Sequence, residues 1–98
     1  MSDIVRREDP AHKGKGAWVI ERDGNTLAEL SYTTAGSRVI LDHTDVSDAL
    51  RGTGSGKKLV EAAVVWARGA NVKLMPLCPF AKSVFDKNPE LRDVLLSA

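Results

Sequence analysis

The chain has 98 residues, 43% of them apolar and 28% charged, with a formal net charge of +1. That length allows one domain, residues 1–98, and the apolar fraction excludes a disordered chain. The near-neutral charge argues against a nucleic-acid domain, and the single cysteine, Cys78, excludes an internal disulfide and a cysteine-based zinc site.

The N-terminus is charged, with Arg6, Arg7, Glu8 and Asp9 and no apolar segment behind them. It does not read as a signal peptide, and no apolar run reaches the length of a membrane span. A lone cysteine fits the reducing cytoplasm. Residues 4–9 form at most a short edge strand. Pro10 to Gly16 reads as a loop. Ala17 to Arg22 reads as a strand buried on both faces, and Asp23-Gly24-Asn25 as a hairpin turn. Thr26 to Thr33 alternates, with Ala28, Leu30 and Tyr32 on one side. Ala35-Gly36-Ser37 is a second turn, and Val39 to Val46 a third strong strand. Short turns between these strands predict an antiparallel meander.

A glycine-rich stretch follows, Arg51-Gly52-Thr53-Gly54-Ser55-Gly56-Lys57-Lys58. Leu59, Val60, Ala63, Val64 and Ala67 then recur at helical spacing, and Gly69 is the expected stop. A helix of about thirteen residues would be ~20 Å long. Val72 to Cys78 is the next strand. Pro76 removes one ladder donor, so this strand is an edge or parts from its neighbour there. Pro79 suits the first position of a second helix. Asn88-Pro89 starts a last short helix through Leu91, Val94 and Leu95. The class is α/β or α+β, with the cleft expected where the third strong strand, the glycine loop and the Pro76–Pro79 segment meet.

The strand–loop–helix stretch carries the chemistry. Without Cβ atoms, closely spaced glycines let several N–H groups converge. The helix start adds unpaired N–H groups and the positive end of its dipole. Lys57 and Lys58 add charge. Together they suit a phosphate or pyrophosphate. A Walker A loop is excluded, because Arg51 stands where its first glycine belongs and Lys58 where Ser or Thr should be. A dinucleotide fingerprint is excluded by the G-x-G-x-G spacing and by hairpin-connected strands.

Arg51-x-x-Gly54-x-Gly56 resembles the pyrophosphate loop of the Gcn5-related N-acetyltransferases. With His43-Thr44-Asp45-Val46, Leu50-Arg51-Gly52 and Pro76-Leu77-Cys78-Pro79-Phe80, the chain looks like the very small YjdJ-type branch, from about Trp18 to Leu95. The resemblance implies a minimal acetyltransferase fold. Its sheet is largely antiparallel, the glycine loop and helix follow the third or fourth strand, and the next strand is splayed. It implies acetyl-CoA or CoA as co-substrate, held by Arg51, Gly52, Thr53, Gly54, Ser55, Gly56 and Lys57. The backbone near Val46 would meet the pantetheine arm.

Cys78 precedes Pro79 at a helix start, a position that lowers a thiol pKa. It reads either as an acyl-accepting nucleophile or as a small apolar residue lining the pocket. His43 and Asp45 share one strand face. His43 reads either as a general base toward an amine or Cys78, or as a hydrogen-bonded strand histidine. Asp45 would fix loop or histidine geometry. His12 reads as solvent-exposed, and Trp18 and Trp66 as packing.

Larger members of the family use a tyrosine on the helix after the fifth strand as the leaving-group acid. Here that helix carries Phe85, and the sole tyrosine is Tyr32. The expected activity is acetyl transfer from CoA to an unidentified amine or protein acceptor, by a monomer without metal, nucleic acid or membrane. The alternative is a non-catalytic CoA or acyl-CoA sensor.

Overall fold

The computed structural model describes residues 4–96. Five strands form one sheet in the order β1-β2-β3-β4-β5: β1 Ile4–Glu8, β2 Lys15–Arg22, β3 Asn25–Ala35, β4 Arg38–Val46 and β5 Lys73–Pro76. The first four make an antiparallel meander. β5 joins parallel to β4 after a crossover through helix α1, Ser55–Ala70. Helix α2, Pro79–Lys87, and a 3₁₀ segment, Pro89–Val94, complete the chain. The fold is thus α+β, and the glycine loop follows the fourth strand.

The hairpins are set by left-handed residues. Asp23 (φ 52°) and Gly24 (φ 80°) close β2–β3 as a two-residue turn whose twist matches the strands. β1 is a full strand, stronger than its charges suggest. Its Arg6 guanidinium lies 4.9 Å from the Trp66 ring centre and donates to the Tyr32 hydroxyl at 2.8 Å. Trp18 packs between Tyr32 and Trp66, with ring centres 4.8 and 5.7 Å away. An aromatic cluster therefore ties the edge strand to α1.

All the helical elements pack on one face of the sheet. Leu30, Val39, Leu41 and Leu74 meet Leu59, Val60, Ala63, Val64 and Ala67 of α1, all fully buried. Each large side chain removed from water contributes about 1.5–3 kcal/mol. The helix runs past Gly69 and stops at Asn71, which caps it in the left-handed conformation at φ 56°. Asparagine tolerates that conformation, so the helix is 16 residues long.

Two irregularities shape the site. The β3–β4 register shifts between Ser31 and Tyr32, because Tyr32 pairs with Leu41 and Ser31 with His43. Asp42 is the extra residue of this bulge. Before it, Val39 and Leu41 face the helices. Beyond it, Thr44 and Val46 do, opposite Leu30 and Ala28. The second irregularity is a fork. β4 and β5 pair from Arg38↔Lys73 to Leu41↔Pro76 and then part. The N–H groups of Leu77 and Cys78 both donate to the Leu41 carbonyl, at 3.1 and 3.2 Å. Pro76 sits where the ladder ends, as its missing donor requires.

Candidate functional site

β4 ends in a 3₁₀ turn, Asp48–Leu50, pinned by the buried Leu50. The glycine loop starts here. Gly52 (φ 80°) and Gly54 (φ 78°) are both left-handed, a conformation a side chain resists by about 1–2 kcal/mol. The Thr53 hydroxyl donates to the Leu50 carbonyl and lies 2.6 Å from Ser55 Oγ, so it braces the loop from inside. Gly54 caps α1 with no side-chain hydrogen bond. The first N–H groups of α1 are thus left without a side-chain cap, at the positive end of a four-turn helix.

These groups open on a cavity of about 520 Å³ between the loop, the end of β4 and α2. Arg51, Gly52, Gly54, Ser55, Gly56 and Lys57 line it from the loop side, and Thr44 and Val46 from β4. Phe80, Ser83 and Lys87 line it from α2. Two lysines, one arginine and a helix start converge there, an arrangement that accepts an anion. Arg51 is exposed and pairs with Asp48 at 2.9 Å. Gly56 has an ordinary φ but a crowded neighbour. A Cβ there would lie 2.6 Å from Cζ of Phe80, so the ring packs directly on the helix backbone.

Cys78 occupies the N-cap position of α2, at the apex of the fork, and is 5% exposed. Its sulfur lies 3.2 Å from Thr44 Oγ1. Burial pushes the thiol up. The Thr44 hydroxyl and the N–H groups of Ala81, Phe80 and Thr44 outweigh it, and the net direction is down. A thiol held this way reaches the thiolate more readily than a free cysteine.

The residues singled out in the sequence do not all meet. Val46, Arg51, Gly52, Gly54, Ser55, Gly56 and Lys57 line the cavity, while Thr53 does not and uses its hydroxyl within the loop. Cys78 is not among the lining residues; it lies behind Thr44, buried, with its sulfur 3.2 Å from the Thr44 hydroxyl. His43 does not join it. The bulge at Asp42 puts His43 opposite Ser31, and Asp45 opposite Glu29, on the face without helices, and both are exposed. His43 is therefore separated from Cys78 by the sheet, and its role as a base toward that thiol has no geometric support. His12 is exposed and contacts Asp9. Tyr32 is buried, its ring packed on Trp18 and Trp66 and its hydroxyl taken by Arg6. Thr44, Phe80 and Lys87 carried no site assignment in the sequence. The bulge hid Thr44. Phe80 and Lys87 lie on a helix that the sequence marked only by its start at Pro79 and by the Pro76–Phe80 resemblance.

The family model described as GCN5-related N-acetyl-transferase matches residues 17–94. The chain belongs to the GCN5-related N-acetyltransferase family. A GCN5-like protein from Staphylococcus aureus, solved by NMR in solution, is 35% identical. The match covers 100% of this chain and 93% of that one, with a TM-score of 0.69. Two more distant structures share the fold. A ribosomal-protein-alanine N-acetyltransferase from Brucella melitensis is 17% identical, covering 90% and 66% of the two chains at a TM-score of 0.69. The aminoglycoside N-acetyltransferase AAC(6')-Iy, solved in complex with CoA, is 13% identical, covering 79% and 68% at a TM-score of 0.56. No curated protein matches the chain. Among the described residues, no group of three or more His, Cys, Asp or Glu side chains could hold a metal ion, and no helix is long and apolar enough to cross a membrane.

Proposed function

We propose that this protein binds acetyl-CoA in the cavity at the start of α1 and passes the acetyl group to an amine by way of Cys78. One observation carries the reading. The cavity that begins at the uncapped helix start ends at Thr44, whose hydroxyl is 3.2 Å from the Cys78 sulfur. The loop that suits a phosphate and the immediate neighbour of the candidate nucleophile thus line one space, with Cys78 just behind Thr44.

The pyrophosphate rests on the N–H groups of the loop and of the first turn of α1, with Lys57 and Lys87 balancing its charge. Beyond Leu41, β4 has no strand partner on its β5 side. That free edge, around Val46, offers hydrogen bonds to the amides of the pantetheine arm and aligns the thioester at the fork.

The Cys78 sulfur attacks the thioester carbonyl. A new carbon–sulfur bond forms, the bond to CoA breaks, and CoA leaves as thiolate, taking up the proton that Cys78 lost. The amine then attacks the acetyl-cysteine. Its nitrogen–carbon bond forms, the Cys78 sulfur leaves, and the surplus proton on nitrogen passes to a base. Solvent is that base, because His43 lies across the sheet from Cys78. This route fits α2, which carries the buried Phe85 and no tyrosine to protonate a leaving thiolate directly.

The test is calorimetric titration with acetyl-CoA and with CoA, followed by intact mass of the same sample. Binding with one added acetyl group, lost in Cys78→Ser, is the expected result. Binding with no adduct would leave direct transfer or a CoA sensor. No binding would overturn the reading.

A further inference from the structure

We propose that Thr44 is the positioning residue of Cys78: its hydroxyl donates to the sulfur and holds it on the cavity side of the fork. The proposal rests on the reading of Cys78 as acyl acceptor and adds the group that makes the thiol ready.

Three observations converge. The first is the pinned backbone of Cys78. Its N–H donates to the Leu41 carbonyl at 3.2 Å, and its carbonyl accepts from the Lys82 N–H at 3.0 Å. The sulfur can then change place only by rotating about χ1, among three staggered wells. A hydrogen bond to one neighbour selects one well. The second is that Thr44 is presented to that sulfur by a built irregularity. Were β4 to alternate regularly through Asp42 with no bulge, His43 would turn toward the helices and Thr44 away. The third is that Thr44 also lines the cavity, so one side chain touches both the nucleophile and the space for its substrate.

Threonine suits this task. Its β-branched side chain is stiff at χ1, so the hydroxyl is aimed without a further ordering cost. A thiolate can only accept, so the hydroxyl donates to it and favours the charged form. Besides burial, the largest influences on the sulfur are this hydroxyl and the N–H groups of Ala81, Phe80 and Thr44 itself. No charged side chain stands among them. The hydroxyl is the one side-chain group in that set, and so the one that mutation can remove without altering the backbone.

The experiment uses Cys78 as its own reporter, since it is the only thiol in the chain. The rate of alkylation by iodoacetamide is followed from pH 5 to 10 in the full-length wild type, Thr44→Val, Thr44→Ser and Thr44→Ala. Thermal melting confirms that each variant is folded. Intact mass after exposure to acetyl-CoA is recorded in parallel.

The expected result for Thr44→Val is a midpoint about one unit higher, with alkylation about tenfold slower at pH 7. Thr44→Ser should restore the wild-type profile. Thr44→Ala should behave as Thr44→Val, and stands in for it if valine does not fold. Superimposable profiles for wild type and Thr44→Val, or for wild type and Thr44→Ala where valine fails, would overturn the proposal. So would a Thr44→Ser profile as shifted as that of the non-hydroxyl variant, because the methyl group would then be the active part. If wild type gains no acetyl group while the hydroxyl-free variants still shift the profile, the positioning role stands and the acyl-carrier reading falls.

Discussion

Gly56→Ala separates what the glycine loop does for folding from what it does for binding. The new Cβ would stand 2.6 and 2.7 Å from Cζ and Cε2 of the Phe80 ring. Carbon atoms pack at about 3.5–4.0 Å, so the ring must retreat by roughly 1 Å. Overpacking of a rigid core costs about 1–3 kcal/mol. Phe80 is 42% exposed and can move toward solvent, so the low end applies. Alanine in a helix gains up to about 1 kcal/mol over glycine. The two effects nearly cancel, and urea unfolding should show a net change within about 1 kcal/mol. Binding should respond quite differently. The methyl group and the ring it displaces would intrude on the cavity that both residues line, beside the first-turn N–H groups that a phosphate would approach. Calorimetry should give CoA affinity at least about tenfold weaker, equivalent to about 1.4 kcal/mol. Adding Phe80→Ala should relieve the crowding and raise stability without restoring affinity. A Gly56→Ala protein that binds CoA like the wild type would refute the assignment of the helix start as the phosphate site. Recovery of binding in the double variant would mean that the displaced ring, and not backbone access, caused the loss.

Two further outcomes follow from the geometry. His43→Ala should leave both the acetylation of Cys78 by acetyl-CoA and the release of the acetyl group to an added amine unchanged, measured by intact mass over time. Loss of either step would show that His43 acts on the site across the sheet. The Arg68 guanidinium donates to Asp93 at 3.0 and 2.6 Å, and these bonds hold the Asp93 carboxyl below its usual range. A lowered carboxylate pKa stabilises the fold above the ordinary value near 4, and that stabilisation disappears as pH falls through the folded value. Arg68→Ala should therefore lower the urea midpoint at pH 7 and lower it less below about pH 3. A remnant should persist from the bond to the Glu90 carbonyl at 2.9 Å. A gap unchanged at the lowest pH would mean that the carboxylate contributes nothing.

The meander was legible because its signals are local. Asp23-Gly24 and Gly36 mark the turns, and Ala28, Leu30 and Tyr32 alternate into the core as period two requires. The loop was legible because left-handed glycines leave a spacing in the sequence. β1 was barely legible, since Arg6 earns its place through Tyr32 and Trp66, which lie far along the chain. The helix end was misplaced because Gly69 is the better-known stop, while Asn71 has the left-handed φ. The bulge at Asp42 left no local trace. It reverses which of His43 and Thr44 faces the cavity, so the sequence pointed to the histidine when the threonine touches the cysteine.

The central claim, that CoA lies between the glycine loop and the fork, is tested most directly by amide chemical-shift mapping of the ¹⁵N-labelled protein during CoA titration. The account expects the largest shifts at Gly52, Gly54, Ser55, Gly56 and Lys57, with a second group at Val46 and Cys78. Little change is expected at Glu29 and Ser31 on the open face. Shifts confined to the open face, or none at saturating CoA, would contradict it.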